Sequence, residues 1–470
     1  MRIPTQITGI VAGTILLGSS TASLAQTSFT ENFQSMIYSG RTTAAVDLAT
    51  RAVEKTPVEP QAQFALGAAQ FLVAVENLGH GLHRHGLQTE YKMEPMMGGV
   101  GELPILRLPV PPNPNPTPVT YVALRGVLKQ FVDDLAVAES TLSKVGLAEF
   151  DLPLDLAKIR LDFDGDGLGS ERESLLYTLN AVVGQVQPDS GYLVDFDQSD
   201  APWLQGYCHL LSAMSEFPLG HDWQAVFDTT FHNLFPDSNL ASSELTRETE
   251  KLLASLHRFF DEKGNPPQYP EKPPGMPWEE WRSIQKEFLN SPDYYRWQAY
   301  SQETESIWIG SIADLITFVH LFNWPVVEPE RIASSRHHLL SMIELSRENW
   351  VRIRAETDNA REWLPNEHQT GIFTNMRVDA DVVNGWMFFL DEFEAVLQGD
   401  RLVPHWRIFE RGINIRRMLE EPRTFDPVLI AQGSAVLPYL QEGDMITKDT
   451  VETIFDIFGG GFLAYFLWFN

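Results

Sequence analysis

Asp162-Phe163-Asp164-Gly165-Asp166-Gly167-Leu168-Gly169-Ser170-Glu171-Arg172-Glu173 is the stretch from which the rest of this 470-residue chain is read. Three aspartates stand at alternate positions, a glycine follows the third, and a glutamate closes the run. Alternate aspartates in a tight turn aim their carboxylates inward, and Gly167 permits the sharp turn. The oxygens on offer are the carboxylates of Asp162, Asp164 and Asp166, the carbonyl of Leu168, the hydroxyl of Ser170 or a water on it, and both oxygens of Glu173. A hard cation that takes about six to eight oxygens in a flexible shell, Ca²⁺, suits that set.

The run resembles the EF-hand calcium loop at every ligand position, over residues 162–173 only. It departs at Gly169, where such loops carry a bulky apolar residue that bridges to a partner loop. No second run of this spacing occurs in the chain. A solitary loop without the bridging residue implies a structural or weak site rather than a paired sensor. The competing reading is an acidic surface turn that holds no ion. Downstream, Glu171 to Val183 reads as a helix, with Leu175, Leu176, Leu179 and Val182 on one face. Upstream, Leu154 to Leu161 is ambiguous between strand and helix. An incoming strand makes a strand–loop–helix site instead of helix–loop–helix.

With 43 % hydrophobic residues and abundant aromatics the chain can build a large core, in about one to three domains. Its formal charge of −28 argues against nucleic acid and anionic lipid as partners, since both need Lys/Arg to displace counterions, and it concentrates cations. Cys208 is the sole cysteine, so no intrachain disulfide forms, and a buried thiol is its plain reading. Its neighbour His209 does not make it a nucleophile, because adjacent helical residues point about 100° apart.

Residues 1–25 read as a signal peptide, with Arg2, an apolar run from Ile7 to Leu17 and small residues before a cut after Ala25. No later run is long and apolar enough to span a bilayer. A soluble product exported to the periplasm or secreted is the expectation. Residues 26–92 resemble a tetratricopeptide helical hairpin: Gly40, Ala45, Ala49, Ala52 and Pro57 follow the spacing, and Leu66-Gly67 restarts it. At its end Glu76, His80 and His83 share a helix face, with His85 close by, a spacing that suits a transition metal. Gly79 and Gly81 weaken that helix, and the alternative is a polar helix end. Residues 93–118 form a Met- and Pro-rich loop that drapes over the body or covers a cleft.

Residues 119–264 read as a helical region holding the calcium loop, led by a helix from Val119 to Val145. Farther on, Trp203, Tyr207, Leu210, Leu211 and Met214 share a helix face. Glu216, His221, Asp222 and His232 follow, either as core and capping groups or as a metal site or acid–base pair between adjoining helices. A second Pro-rich loop, 265–278, leads into Trp278, Trp281, Tyr294, Tyr295 and Trp297. The C-terminal helical region, 279–470, carries helices over 306–322, 332–354 and 379–398. His337-His338 lies on the second of these. Phe388, Phe389 and Phe393 lie on the third, which ends at Gly399-Asp400. Arg407, Arg411, Arg416 and Arg417 read as partners of nearby glutamates, or else as an anion site. The apolar segment after Phe458 reads as buried.

The expected fold is mainly α: a multi-helix globular body with one EF-hand-like loop and two Pro-rich loops. No Gly-x-Ser-x-Gly, His-Glu-x-x-His, phosphate loop or dinucleotide fingerprint occurs, which lowers the expectation of an enzyme without removing it. The leading expectation is an exported Ca²⁺-stabilised protein that binds a protein or small-molecule partner. The alternatives are a periplasmic hydrolase centred on His209 to His232, and a metal handler using His80, His83 and His85.

Overall fold

The computed structural model describes residues 29–88, 108–183, 191–238, 240, 269–373, 376–459 and 461–470. The expected signal peptide, the Met-rich part of the first loop and the start of the second Pro-rich loop lie outside them. The chain is mainly helical, as its periodicity predicts.

The N-terminal part is a stack of helices: α1 (29–37), α2 (Thr42–Lys55), α3 (Pro60–Arg84) and α4 (Tyr121–Leu142). Small residues let these helices approach closely. Ala45, Ala49, Ala65 and Ala69 are fully buried, and a methyl group added at Gly67 would collide with Leu142 at 2.5 Å. Pro60 opens α3, where a missing N–H costs nothing. Helix α3 runs unbroken through Gly79 and Gly81. Both glycines are points of close packing, against Phe163 and Val127 respectively. The described part of the first Pro-rich loop drapes over the C-terminal end of α3. There Thr117 N and Asn113 Nδ2 donate to the carbonyls of Arg84 and His83, at 2.9 Å each. Thr120 caps α4 by accepting from Ala123 N.

A short antiparallel pair follows, β1 (Leu152–Asp155) with β2 (Leu193–Phe196), in the register Leu152↔Phe196. Between them lie the acidic loop and α5 (Leu175–Val183), which starts four residues later than its sequence predicts. The strand β2 leads directly into α6 (Asp200–Leu219), then α7 (Gln224–Thr230).

Helix α6 is the spine of the molecule. Its Leu204 and Cys208 belong to the N-terminal core, whereas Leu210 belongs to the C-terminal one. A helix that is apolar on several faces is buried on several faces. Met214 breaks the predicted apolar face by lying exposed. Next come α8 (Trp278–Leu289) and α9 (Pro292–Leu321). The aromatics there pin the second Pro-rich loop, with Tyr269 against Trp297 and Lys272 over Trp278. The C-terminal core gathers α10 (Pro329–Ala355) and α11 (Ala380–Gln398). After the short helices α12 (Ile415–Glu420) and α13 (Pro427–Gln432) it also takes in α14 (Lys448–Ile457) and α15 (Phe462–Phe469). Asp379 caps α11, and Gly399 ends it in the left-handed region at φ +79°. A small sheet of β3 (Val403–His405), β4 (Ile408–Ile413) and β5 (Leu440–Gln441) packs beside this core. The terminal helix α15 buries Tyr465, Trp468 and Phe469, as expected of an apolar segment too short for a membrane. Among the described residues no single helix is long and apolar enough to cross one.

Candidate metal centre

The acidic loop is anchored at both ends. Its base is a β-bridge between Arg160 and Ser174, with Leu161 N donating to the Glu173 carbonyl at 2.8 Å and Leu175 N to Ile159 O at 3.0 Å. The arm entering the loop is therefore extended, and the unit is strand–loop–helix. Phe163, at 0 % exposure, drives the loop into the core. Its ring fills the space beside Gly79 of α3, where a Cβ would sit 2.1 Å from the ring. Glu173 lies at 1 % exposure and joins the two arms, accepting from Phe163 N at 2.8 Å and Ser170 N at 2.9 Å.

Within this frame the aspartates turn the backbone inward. Asp162 accepts from Gly165 N and Gly167 N, Asp164 from Asp166 N, and Asp166 from Leu168 N, over 2.7–3.1 Å. Gly165 (φ +75°) and Gly167 (φ +83°) supply the left-handed turns this needs. One oxygen from each of Asp162, Asp164 and Asp166 lies within 4.8 Å of the other two. The structure thus brings three of the sequence-derived ligands together. Glu173 stands at the loop base outside that triad, and Leu168 and Ser170 are exposed. Three oxygens this close, on carboxylates that repel one another, are the donor set a divalent cation would relieve. Burial, then the charges of Glu173, Asp166 and Asp162, raise Asp164 above the ordinary carboxylate range, although the Asp166 N–H lowers it.

Gly169, the departure from the motif, has a physical reason. A Cβ there would lie 2.3 Å from Arg160 Cβ and 3.2 Å from Gly40 Cα. Reciprocally, a Cβ on Gly40 would meet Gly169 N at 2.5 Å. The corner between α1 and α2 occupies the side of the loop where a bulky residue would reach toward a partner loop. Arg160 N also donates to Ile37 O at 3.0 Å.

The histidine cluster does not assemble. Glu76 is buried and committed: it takes a hydrogen bond from Thr42 Oγ1 and another from Asp162 N, the second at 2.9 Å. Burial pushes its carboxyl up to about 7, with the charges of Asp162 and Glu173 adding to it and the two hydrogen bonds opposing. His80 turns its Nε2 toward Gly165, and His85 bonds the Thr117 carbonyl. Among the described residues the three aspartates alone form a carboxylate or histidine group of metal-holding size.

Glu216, His221 and Asp222, from the second expected group, each hold a separate partner. Glu216 accepts from Arg331 at 2.7 Å, His221 Nδ1 donates to Phe217 O at 2.8 Å, and Asp222 caps Gln224 N at 3.0 Å. His221 lines a small cavity with Phe217, Ile332, Met418, Phe425 and Tyr439, which neither Glu216 nor His232 reaches. Burial lowers both His221 and His232 below the ordinary histidine range. Cys208 is a buried thiol, raised by the same cause. Two of the four clustered arginines pair with glutamates, Arg416 with Glu420 and Arg417 with Glu421.

Two groupings escaped the sequence because their members lie far apart in it. His209 Nδ1 meets His338 Nδ1 at 2.8 Å, joining α6 to α10. Burial, then the neighbouring imidazole, push His209 down to about 4. The second grouping is a nest of carboxyls from residues 195–200 and 356–362, with Asp195, Asp200 and Glu362 buried, on opposite sides of the junction between the two large cores. Compared with protein-family models, curated proteins and solved structures, the chain matches none.

Proposed function

We propose that this is an exported, calcium-stabilised helical protein that works by binding a partner. The carrying observation is the aspartate triad at 162, 164 and 166, its oxygens within 4.8 Å of one another in register with two left-handed glycines. Ca²⁺ would be held by those three carboxylates, with Glu173 closing the loop that bears them. Its role is structural: the loop ties α1–α2, α3 and α5 to one point, and gathering its carboxylates offsets their repulsion.

Partner binding is supported by surface rather than by a pocket. Along α9, Ile309, Ile312, Ile316 and Val319 are exposed at helical spacing, and Trp278 and Tyr295 are exposed beside the second Pro-rich loop. Contiguous exposed apolar side chains mark interaction surfaces. The first experiment is elemental analysis of protein purified without chelator, with thermal melts in added calcium and in chelator. One calcium per chain is expected, with about 1.4 kcal/mol of added stability at tenfold excess over Kd. Zinc in its place, or identical melts in both conditions, would overturn the reading.

A further inference from the structure

Residues 356–373 form a strap that links the C-terminal end of α10 to the start of the segment leading into α11. Trp363 and Phe373 of this strap pack against both large hydrophobic cores. Trp363 contacts Phe196 and Trp203, and Phe373 contacts Trp468. The strap is thus a wedge between the two halves of the molecule. Its polar side faces the end of β2 and the first turn of α6, and the facing side chains are carboxyls.

From the strap come Glu356, Asp358 and Glu362. From the other side come Asp195, Asp197 and Asp200. Asp195, Asp200 and Glu362 are at least nine-tenths buried. Asp200 feels the charges of Asp197, Glu356 and Glu362, and Glu362 those of Asp358, Asp197 and Asp195. Asp151, on the approach to β1, adds a further carboxyl facing Asp195 and Asp358.

The bases nearby are engaged through their terminal nitrogens, although Arg352 Nε is buried without a partner. Arg361, itself at φ +63°, clasps Asp195 Oδ2. Arg352 donates to Gln198 O at 2.6 Å and pairs with Glu348. Three oxygens facing this junction are buried without a hydrogen-bond partner: Asp195 Oδ1, Ser199 Oγ and Glu356 Oε1. Ser199, at 2 % exposure, sets its hydroxyl beside the carboxyls of Asp197 and Glu356. Ser199 brings a single O–H to several carboxyl oxygens, so the nest is short of donors, and a protonated carboxyl supplies one.

We propose that Asp197, Asp200, Glu356 and Glu362 form a proton-operated latch that holds the strap against α6 when protonated and loosens it as they ionise. Protonated, each carboxyl loses its repulsion for the others and gains an O–H to offer a bare acceptor. Ionised, four like charges share a poorly solvated space. The direction of titration agrees. Burial, with neighbouring carboxylates adding to it, pushes Asp197 and Glu362 up to about 6, Glu356 up to about 7, and Asp200 well above the carboxylate range. Backbone and side-chain N–H groups at 2.7–3.0 Å on Asp197, Asp200, Glu356 and Glu362 oppose that rise without abolishing it. The latch is independent of the calcium loop and goes beyond the function proposed above.

The test is hydrogen exchange on the full chain, read as protection factors corrected for the intrinsic pH dependence of exchange. Protection of residues 356–373 should fall by on the order of tenfold or more between about pH 5 and about pH 8, while α4 keeps its own. The double variant Asp197→Asn/Glu356→Gln copies the protonated shape without the charge. It should hold its protection at about pH 8 and show no such fall. The single Glu356→Gln variant should halve the pH response on a logarithmic scale, and it serves if the double variant does not fold. A wild-type strap equally protected at both pH values, or an amide variant that keeps the full fall, would overturn the latch. So would calcium restoring protection at about pH 8, which would make the nest a cation site instead.

Discussion

The loop at 162–173 and the nest between 195–200 and 356–362 both concentrate carboxylates, and they do so in opposite ways. The loop is local: every acid lies within a dozen residues, and backbone N–H groups and left-handed glycines aim the oxygens at one point. Its aspartates stay partly exposed. The nest is assembled by tertiary packing from segments more than 150 residues apart in sequence, with Asp195, Asp200 and Glu362 buried and Asp197 and Glu356 half-buried, close to aromatic rings. A carboxylate group that is solvated and convergent suits a metal; one that is buried and short of donors suits protons. The same side chain therefore carries different chemistry according to what the backbone around it supplies.

The largest effect should come from cutting the loop from the core. Phe163→Ala removes a fully buried ring lying against Gly79, and a loss of about 3–5 kcal/mol in urea unfolding is expected. A loss below about 1 kcal/mol would mean that the loop is a surface appendage, and the contrast with the nest would narrow. Next is Gly169→Leu, which restores the side chain usual at that place in an EF-hand loop. Here it collides with Arg160 and with the Gly40 corner, so about 1–3 kcal/mol should be lost rather than gained. A neutral or stabilising result would remove the packing explanation for the glycine.

How much of this was legible follows from the same contrast. The helices at 121–142, 329–355 and 380–398 were readable because apolar periodicity and caps are local signals, and so was the aspartate triad. The packing role of Gly79 and Gly81 was not readable, since a glycine that weakens an isolated helix also lets another chain segment touch it, and Phe163 and Val127 lie elsewhere in sequence. Glu76, His80 and His83 had workable metal spacing, but Thr42 and the loop backbone had already claimed Glu76. His209 with His338, and the nest, left no linear trace at all. Only the packing of α6 against α10 and of the strap against β2 creates them. The signal in the sequence was at most an excess of acids around 195–200 and 356–362, near tryptophans at 203 and 363.

The two clusters should respond to pH in opposite senses, which sharpens the comparison. In the nest burial pushes Asp197 and Glu362 up to about 6 and Glu356 up to about 7, above the range of about 4 that carboxyls have in an unfolded chain. The native state then binds more protons than the unfolded one. The nest's contribution is full below about pH 4 and is lost as pH rises through about 6 to 7. Glu76, pushed up to about 7, acts in the same sense. Melts in chelator should therefore shift downward between about pH 5 and about pH 8. The calcium increment runs the other way, because metal binding needs deprotonated carboxylates: it should be present at neutral pH and fade in acid. Parallel pH profiles for the two would break the distinction.

The smallest effect is also the most discriminating, because it applies one chemical change to both clusters. Asp166→Asn and Glu356→Gln each replace a carboxylate by its amide. Asp166 is exposed, and its Oδ1 accepts from Leu168 N, a bond the amide oxygen can keep. In chelator its replacement should leave stability within about 0.5 kcal/mol of the parent, while calcium affinity falls. Glu356 accepts from Gln369 Nε2 through one oxygen and leaves the other buried without a partner. The amide keeps an acceptor for Gln369, gives the nest a donor and takes away a charge. At about pH 8 this variant should be more stable than the parent, and at about pH 5, where the parent is protonated, the two should melt together. If Glu356→Gln instead destabilised at both pH values, its charge would be serving an attraction, and the nest would have to be read as the loop is, as a place for a cation.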